Sequence, residues 1–119
     1  MAKTFNPSVE KRHGCLWITF KDSIDMDNYR IIEDNVSEKI KGSNLQKVVI
    51  DLSKTAALFS SGLGVIMRMH VLVKENNKEM FIVNASERMH EGLEAMNLDK
   101  VLTIYSTTKE FESEQVNTP

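Results

Sequence analysis

Apolar positions recur along this chain with two periods, and the switches between them divide it into elements. Val9 to Arg12 alternates weakly, His13-Gly14 reads as a tight turn, and Cys15-Leu16-Trp17-Ile18-Thr19-Phe20 is an aromatic and β-branched run. Together they predict a hairpin whose second strand is the more central. Asp22 to Asp27 is a polar bend with Ile24 and Met26 as apolar anchors. The period then becomes helical: Tyr29, Ile32, Val36 and Ile40 share one face, with Ile31 alongside, after a cap at Asp27 or Asn28. This helix should run to about Lys41 and stop at Gly42-Ser43-Asn44 with the glycine as C-cap.

The short run Val48-Val49-Ile50 predicts a strand covered on both faces, the central one, over Leu45 to Asp51. A second helix is expected from Ser61 to about Asn76, with Ser60 or Ser61 at its N-cap, because a serine hydroxyl accepts from the free N–H groups of a first turn. Gly62 and Gly64 stand in that turn although glycine costs about 1 kcal/mol there, so a constraint other than helix stability acts on them. Leu63, Ile66, Met67 and Val73 form one apolar stripe, with His70 between them, and Val65, Met69 and Leu72 form another. One stripe packs on the sheet; the other is buried by neighbouring helices or exposed as a patch.

After a turn at Asn76-Asn77-Lys78, Glu79 to Val83 is the next strand. Asn84 to Ser86 caps a third helix, about Glu87 to Met96, that buries Met89, Leu93 and Met96. Val101 to Tyr105 is a last strand, and Thr107 or Thr108 caps a short turn containing Phe111. Strands alternating with helices predict an α/β layer, largely parallel after the hairpin, with helices on one face or both.

Length adds that the 119 residues make one domain over 1–119, with an ordered core of about 5–111 and a polar tail, 112–119, that frays. Met1 to Pro7 reads as a leader that lends a few residues to the first strand. With 41% hydrophobic and 27% charged residues the chain reads as globular and soluble, and a net charge of −2 gives no general attraction to nucleic acid or anionic membranes. No apolar run approaches the roughly 20 residues of a membrane span, so no membrane insertion is expected. The single cysteine, Cys15, suits a cytoplasmic location and reads as an inert core residue.

Chemistry narrows the reading further. His13, His70 and His90 lack ligand spacing, so no metal site is expected. Asp22, Asp25 and Asp27 lack the glycine and terminal glutamate of a calcium loop. No lysine follows Ser61-Gly62-Leu63-Gly64 as in a phosphate-binding loop, and no hydrolase elbow is present. No cofactor and no enzymatic activity are expected. The serines remain, as helix cap, as nucleophile without a placed base, or as phosphate acceptor at a helix N-terminus.

Asp51-Leu52-Ser53, six residues, then Ser60-Ser61-Gly62-Leu63-Gly64 resembles the signature of the STAS family, whose single-domain members are bacterial anti-sigma factor antagonists. The resemblance runs from about Val9 to Phe111. It includes Asp25 after the second strand, Leu93, and Asn97-Leu98-Asp99-Lys100-Val101 at the entry to the last strand. It implies a four- or five-stranded mixed sheet flanked by three to four helices. It also implies a non-enzymatic module that binds an anti-sigma factor with serine-kinase activity and so frees a sigma factor. By motif position Ser60 is the phosphorylated residue, with Ser61 next to it; phosphorylation breaks the complex and a serine phosphatase restores it. Asp25, Leu58, Phe59, Ser60, Ser61, Gly62 and Met67 are the expected partner contacts. Phe59 departs from the family, which usually has aspartate there, and fills an apolar gap or extends the partner surface. The alternative is a constitutive, unphosphorylated module in a signalling assembly or transporter complex. A second copy of the chain, making a homodimer, would use the same kind of patch.

Overall fold

A computed structural model describes residues 7–117; the residues read as a leader lie outside this range except Pro7. Five strands form one sheet in sequential order: β1 (Ser8–Arg12), β2 (Cys15–Thr19), β3 (Lys47–Asp51), β4 (Glu79–Val83) and β5 (Thr103–Tyr105). The β1–β2 pair is antiparallel and all other pairs are parallel. Arg12 and Cys15 flank the hairpin turn, where His13 and Gly14 both have positive φ, the pattern of a type I′ turn.

The sheet has two unequal faces. Leu16, Ile18, Val48, Ile50, Met80 and Ile82 point to one face, beneath α1 (Tyr29–Lys41), α2 (Phe59–Glu75) and α3 (Glu87–Ala95). Cys15, Trp17, Val49, Phe81 and Val83 point to the other, covered by Phe111 of α4 (Thr108–Phe111) and by Val116. Period-2 alternation in the strands thus feeds two separate cores, with Phe111 edge-on to Trp17, Phe81 and Tyr105.

Several boundaries differ from the sequence expectation for local reasons. β3 begins at Lys47 because the Leu45 carbonyl accepts from Lys78 Nζ, at 2.6 Å. β5 is shortened by a 3₁₀ turn, Leu98–Lys100, which the Leu102 N–H closes onto the Leu98 carbonyl at 2.8 Å. Gly42 ends α1 with an ordinary right-handed φ of −83°, not the left-handed cap. The tail expected to fray is helical from Glu112 to Val116, a π-turn pinned by Lys47 Nζ to Gln115 Oε1 at 3.1 Å and Gln115 Nε2 to the Tyr105 hydroxyl at 3.0 Å. Met26 and Met96, expected inside, are exposed, as is Ile31.

Candidate functional site

Three connections at the C-terminal edge of the parallel strands converge on the start of α2. The β3–α2 loop is stitched to the β2–α1 bend. Thr55 Oγ1 donates to the Phe20 carbonyl at 3.0 Å, the Ala57 N–H to Ser23 Oγ at 3.1 Å, and the Ile24 N–H to the Ala57 carbonyl at 3.1 Å. Asn28 is the N-cap residue of α1, as expected, and its carbonyl accepts from the Ile32 N–H, but its side chain turns back and caps no helical N–H. Its Oδ1 accepts from the Asp25 N–H and its Nδ2 donates to the Ser23 carbonyl, while Asp25 Oδ1 accepts from the Asp27 and Asn28 N–H groups. The bend is therefore rigid from both sides.

This stitching moves the start of α2. Leu58, not a serine, is the N-cap residue, and no side chain caps the helix. The first bond of the helix is the Gly62 N–H to the Leu58 carbonyl, at 2.8 Å, so the N–H groups of Phe59, Ser60 and Ser61 precede the ladder. The other helices show what capping looks like here: Ser86 accepts from the Met89 N–H in α3, and Thr107 from the Glu110 N–H in α4.

Each expected site residue has a definite place. Ser60 is exposed, and among the described residues its hydroxyl has no partner. Ser61 Oγ is enclosed and equally unpartnered. Phe59 is 60% exposed and has a φ of +50°, a left-handed conformation that is a true outlier for a bulky residue. Leu58 and Gly62, both expected partner contacts, are largely buried and hold the loop from beneath, and Leu58 also lines a groove between α2 and α3. A Cβ at Gly62 would stand 3.0 Å from Ile24 Cβ and 3.2 Å from its carbonyl oxygen, so this glycine lets helix and bend touch. Met67 is exposed seven residues beyond Ser60, about two turns along the same face. The buried side of α2 is Gly62, Val65, Ile66, Met69 and Val73, which replaces the two expected stripes. Asp25 is half-buried and lines a hollow with Met26, Asp27, Phe59, Ser60 and Ser61.

A groove on the other side of Ser60, between α2 and α3, escaped the sequence reading. Its lining includes Leu58, Phe59, Leu63, Met89 and Arg88. Arg88 lies 28 positions from Ser60, beyond the reach of any local pattern.

Behind the loop, Asp51 closes β3. Burial opposes its ionisation, but the Ser53 N–H at 2.9 Å, Asn84 Nδ2 at 3.1 Å and Trp17 Nε1 at 3.1 Å outweigh that and hold its carboxyl below the usual range. Among the described residues no cluster of His, Cys, Asp and Glu is placed to hold a metal, and no helix is long and apolar enough to cross a membrane. The site presents a hydroxyl, free helix-terminal N–H groups and exposed apolar side chains: equipment for binding and for accepting an anion.

Comparison with known proteins agrees with this geometry. The STAS domain model matches residues 6–111. An anti-sigma F factor antagonist of Paenibacillus polymyxa is 26% identical over 102 residues, covering 84% of this chain and 87% of the relative. A candidate anti-sigma factor antagonist of Thermotoga maritima superposes with a TM-score of 0.82 at 20% identity, over 94% of this chain and 95% of its own. The Bacillus cell-fate determinant SpoIIAA, in its phosphorylated form, gives a TM-score of 0.68 at 13% identity, over 92% of this chain and 99% of its own. Sequence model, strand order and helix arrangement converge, and the chain belongs to the STAS domain family.

Proposed function

We propose that the protein is an anti-sigma factor antagonist: a cytoplasmic, non-enzymatic module that sequesters an anti-sigma factor with serine-kinase activity and so frees a sigma factor. The observation that carries this reading is the exposed Ser60 hydroxyl on the uncapped first turn of α2, beside the protruding Phe59. Relatives named as anti-sigma factor antagonists support it.

Ser60 is the switch. The kinase transfers the γ-phosphoryl group of ATP to Ser60 Oγ, accepts the hydroxyl proton and releases ADP; a serine phosphatase hydrolyses the ester. A structure of SpoIIAA in phosphorylated form supports a modified state within this fold. The enclosed Ser61 Oγ favours Ser60 as acceptor. The fold tolerates the phosphate, since orphan N–H groups and the positive end of the helix dipole meet it. A partner seated on Phe59, Ser60, Asp25 and Met67 has to desolvate about two negative charges. Truncating or burying such charges costs about 2–5 kcal/mol, roughly thirty-fold to several-thousand-fold in affinity.

The test is incubation with the anti-sigma kinase of the same cells and ATP, followed by intact mass and peptide mapping. The expected result is one phosphate on Ser60 and loss of kinase binding in Ser60→Asp. Unchanged binding by Ser60→Asp rejects the switch. Phe59 favours a second reading, a constitutive module: Ser60→Ala would then be silent in cells while Phe59→Asp disrupts the complex.

A further inference from the structure

Ser60 stands on a ridge between two hollows of opposite character. On one side Asp25 and Asp27 line an open depression of about 440 Å³. On the other, the groove between α2 and α3 encloses about 390 Å³, with Leu58, Leu63 and Met89 in its walls. Arg88 is the one charged side chain among the described residues that line this groove.

The chain has four arginines, and three are engaged. Arg12 lies 4.5 Å over the Trp17 ring, Arg30 donates to the Tyr29 hydroxyl at 3.0 Å, and Arg68 donates to Glu33 at 2.6 Å. Among the described residues, Arg88 has no hydrogen bond, ion pair or ring contact. It also sits in the first turn of α3, where the helix dipole disfavours a cation. A guanidinium in that position gains from any anion brought within reach.

We propose that Arg88 is the intramolecular clamp for a phosphate on Ser60. The modified side chain turns away from Asp25 and Asp27 and pairs with Arg88 across the α2–α3 groove. The fork of the guanidinium takes two phosphate oxygens at the mouth of the groove. The clamp covers the α2–α3 groove, so phosphorylation hides an apolar surface as well as adding charge. The inference rests on the reading of Ser60 as the modified residue.

The test installs phosphoserine at position 60 of the full chain by genetic encoding, so no kinase is needed, and titrates the phosphate by ³¹P NMR. A free phosphoserine has its second pKa at about 6. In the parent chain it is expected at least ~0.5 unit lower than in R88Q, with R88K between the two because it keeps the charge and loses the fork. Amide exchange in α3 slows on phosphorylation in the parent and not in R88Q. Equal titration of parent and R88Q overturns the clamp. Peptide mapping after kinase treatment is a separate readout: a failed clamp with Ser60 modified leaves the switch standing, whereas Ser60 left unmodified sinks the switch and leaves the titration to judge Arg88.

Discussion

The two ends of α2 are built on opposite principles. At its C-terminus Asn77 takes the left-handed conformation with a φ of +56°, its N–H bonds the Lys74 carbonyl at 3.0 Å, and the Lys78 N–H bonds the Val73 carbonyl at 2.9 Å. That is a Schellman closure with the residue type, asparagine, that tolerates it. Lys78 then drives its ammonium into the corner below, donating to the carbonyls of Ser43 at 2.8 Å and Leu45 at 2.6 Å. At the N-terminus a phenylalanine holds the left-handed conformation, no side chain caps the helix, and Ser61 Oγ is enclosed without a partner. One end satisfies its polar groups and the other leaves them unsatisfied. The unsatisfied end lies at the carboxyl edge of the parallel strands, where open α/β sheets bind their ligands. Strain and orphan groups gathered there fit the proposed partner-binding end, and the closed end supplies the stability that tolerates them.

The largest test of that contrast is Lys78→Met. Lys78 is only 7% exposed, so its removal strands two carbonyls that no water replaces easily. The expected loss is about 2–3 kcal/mol by urea denaturation, with partner affinity unchanged. A neutral result would mean that the closed end is not the anchor.

The paired glycines sharpen the comparison within the open end. Gly62→Ala forces a Cβ between Ile24 and Leu58, both at about van der Waals overlap, 3.0 Å and 3.1 Å. Overpacking of this kind costs roughly 1–3 kcal/mol, more than the ~1 kcal/mol gained in helix propensity, so a net loss is expected. Gly64→Ala meets only the Arg68 guanidinium, at 3.1 Å, which can swing aside at the small cost of its exposed ion pair with Glu33. Its stability is expected to rise by up to about 1 kcal/mol. Thermal melts of the two variants should therefore move in opposite directions; a shared sign would show that the helix–bend contact does not depend on Gly62.

The sequence made the sheet readable because its strands are short, β-branched and punctuated: Val48 to Ile50, Met80 to Val83 and the His13-Gly14 turn each carry their own local signal. α1 and α3 were equally plain, since Ile32, Val36 and Ile40, or Met89 and Leu93, repeat at helical spacing and lie buried. What local pattern could not reveal depends on residues far apart in the chain. The serines look like caps, but Thr55 and Ser23 tie the loop to the preceding bend and place Leu58 at the helix start. The tail looks polar and loose, yet Gln115 is held from Lys47 and Tyr105. Ser60 was singled out by its motif, whereas Arg88 came into view only when the fold set α3 beside α2.

The smallest effect, and the one that bears most directly on the contrast, comes from exchanging the residue types of the two left-handed positions. Phe59→Asn gives the open end the kind of residue that the closed end already has. The left-handed conformation costs a substituted residue about 1 kcal/mol, and asparagine escapes most of this through its short polar side chain. Stability should rise by about 0.5–1 kcal/mol, read as a Tm increase of roughly 4 °C. Removal of the exposed ring should at the same time weaken partner binding, since buried aromatic anchors carry a large share of interface energy. Asn77→Phe should do the reverse to stability and leave binding alone. If Phe59→Asn neither stabilises the fold nor weakens the complex, the strained ring has no role in recognition. If it does both, Phe59 is held against its own conformational preference because the partner uses it.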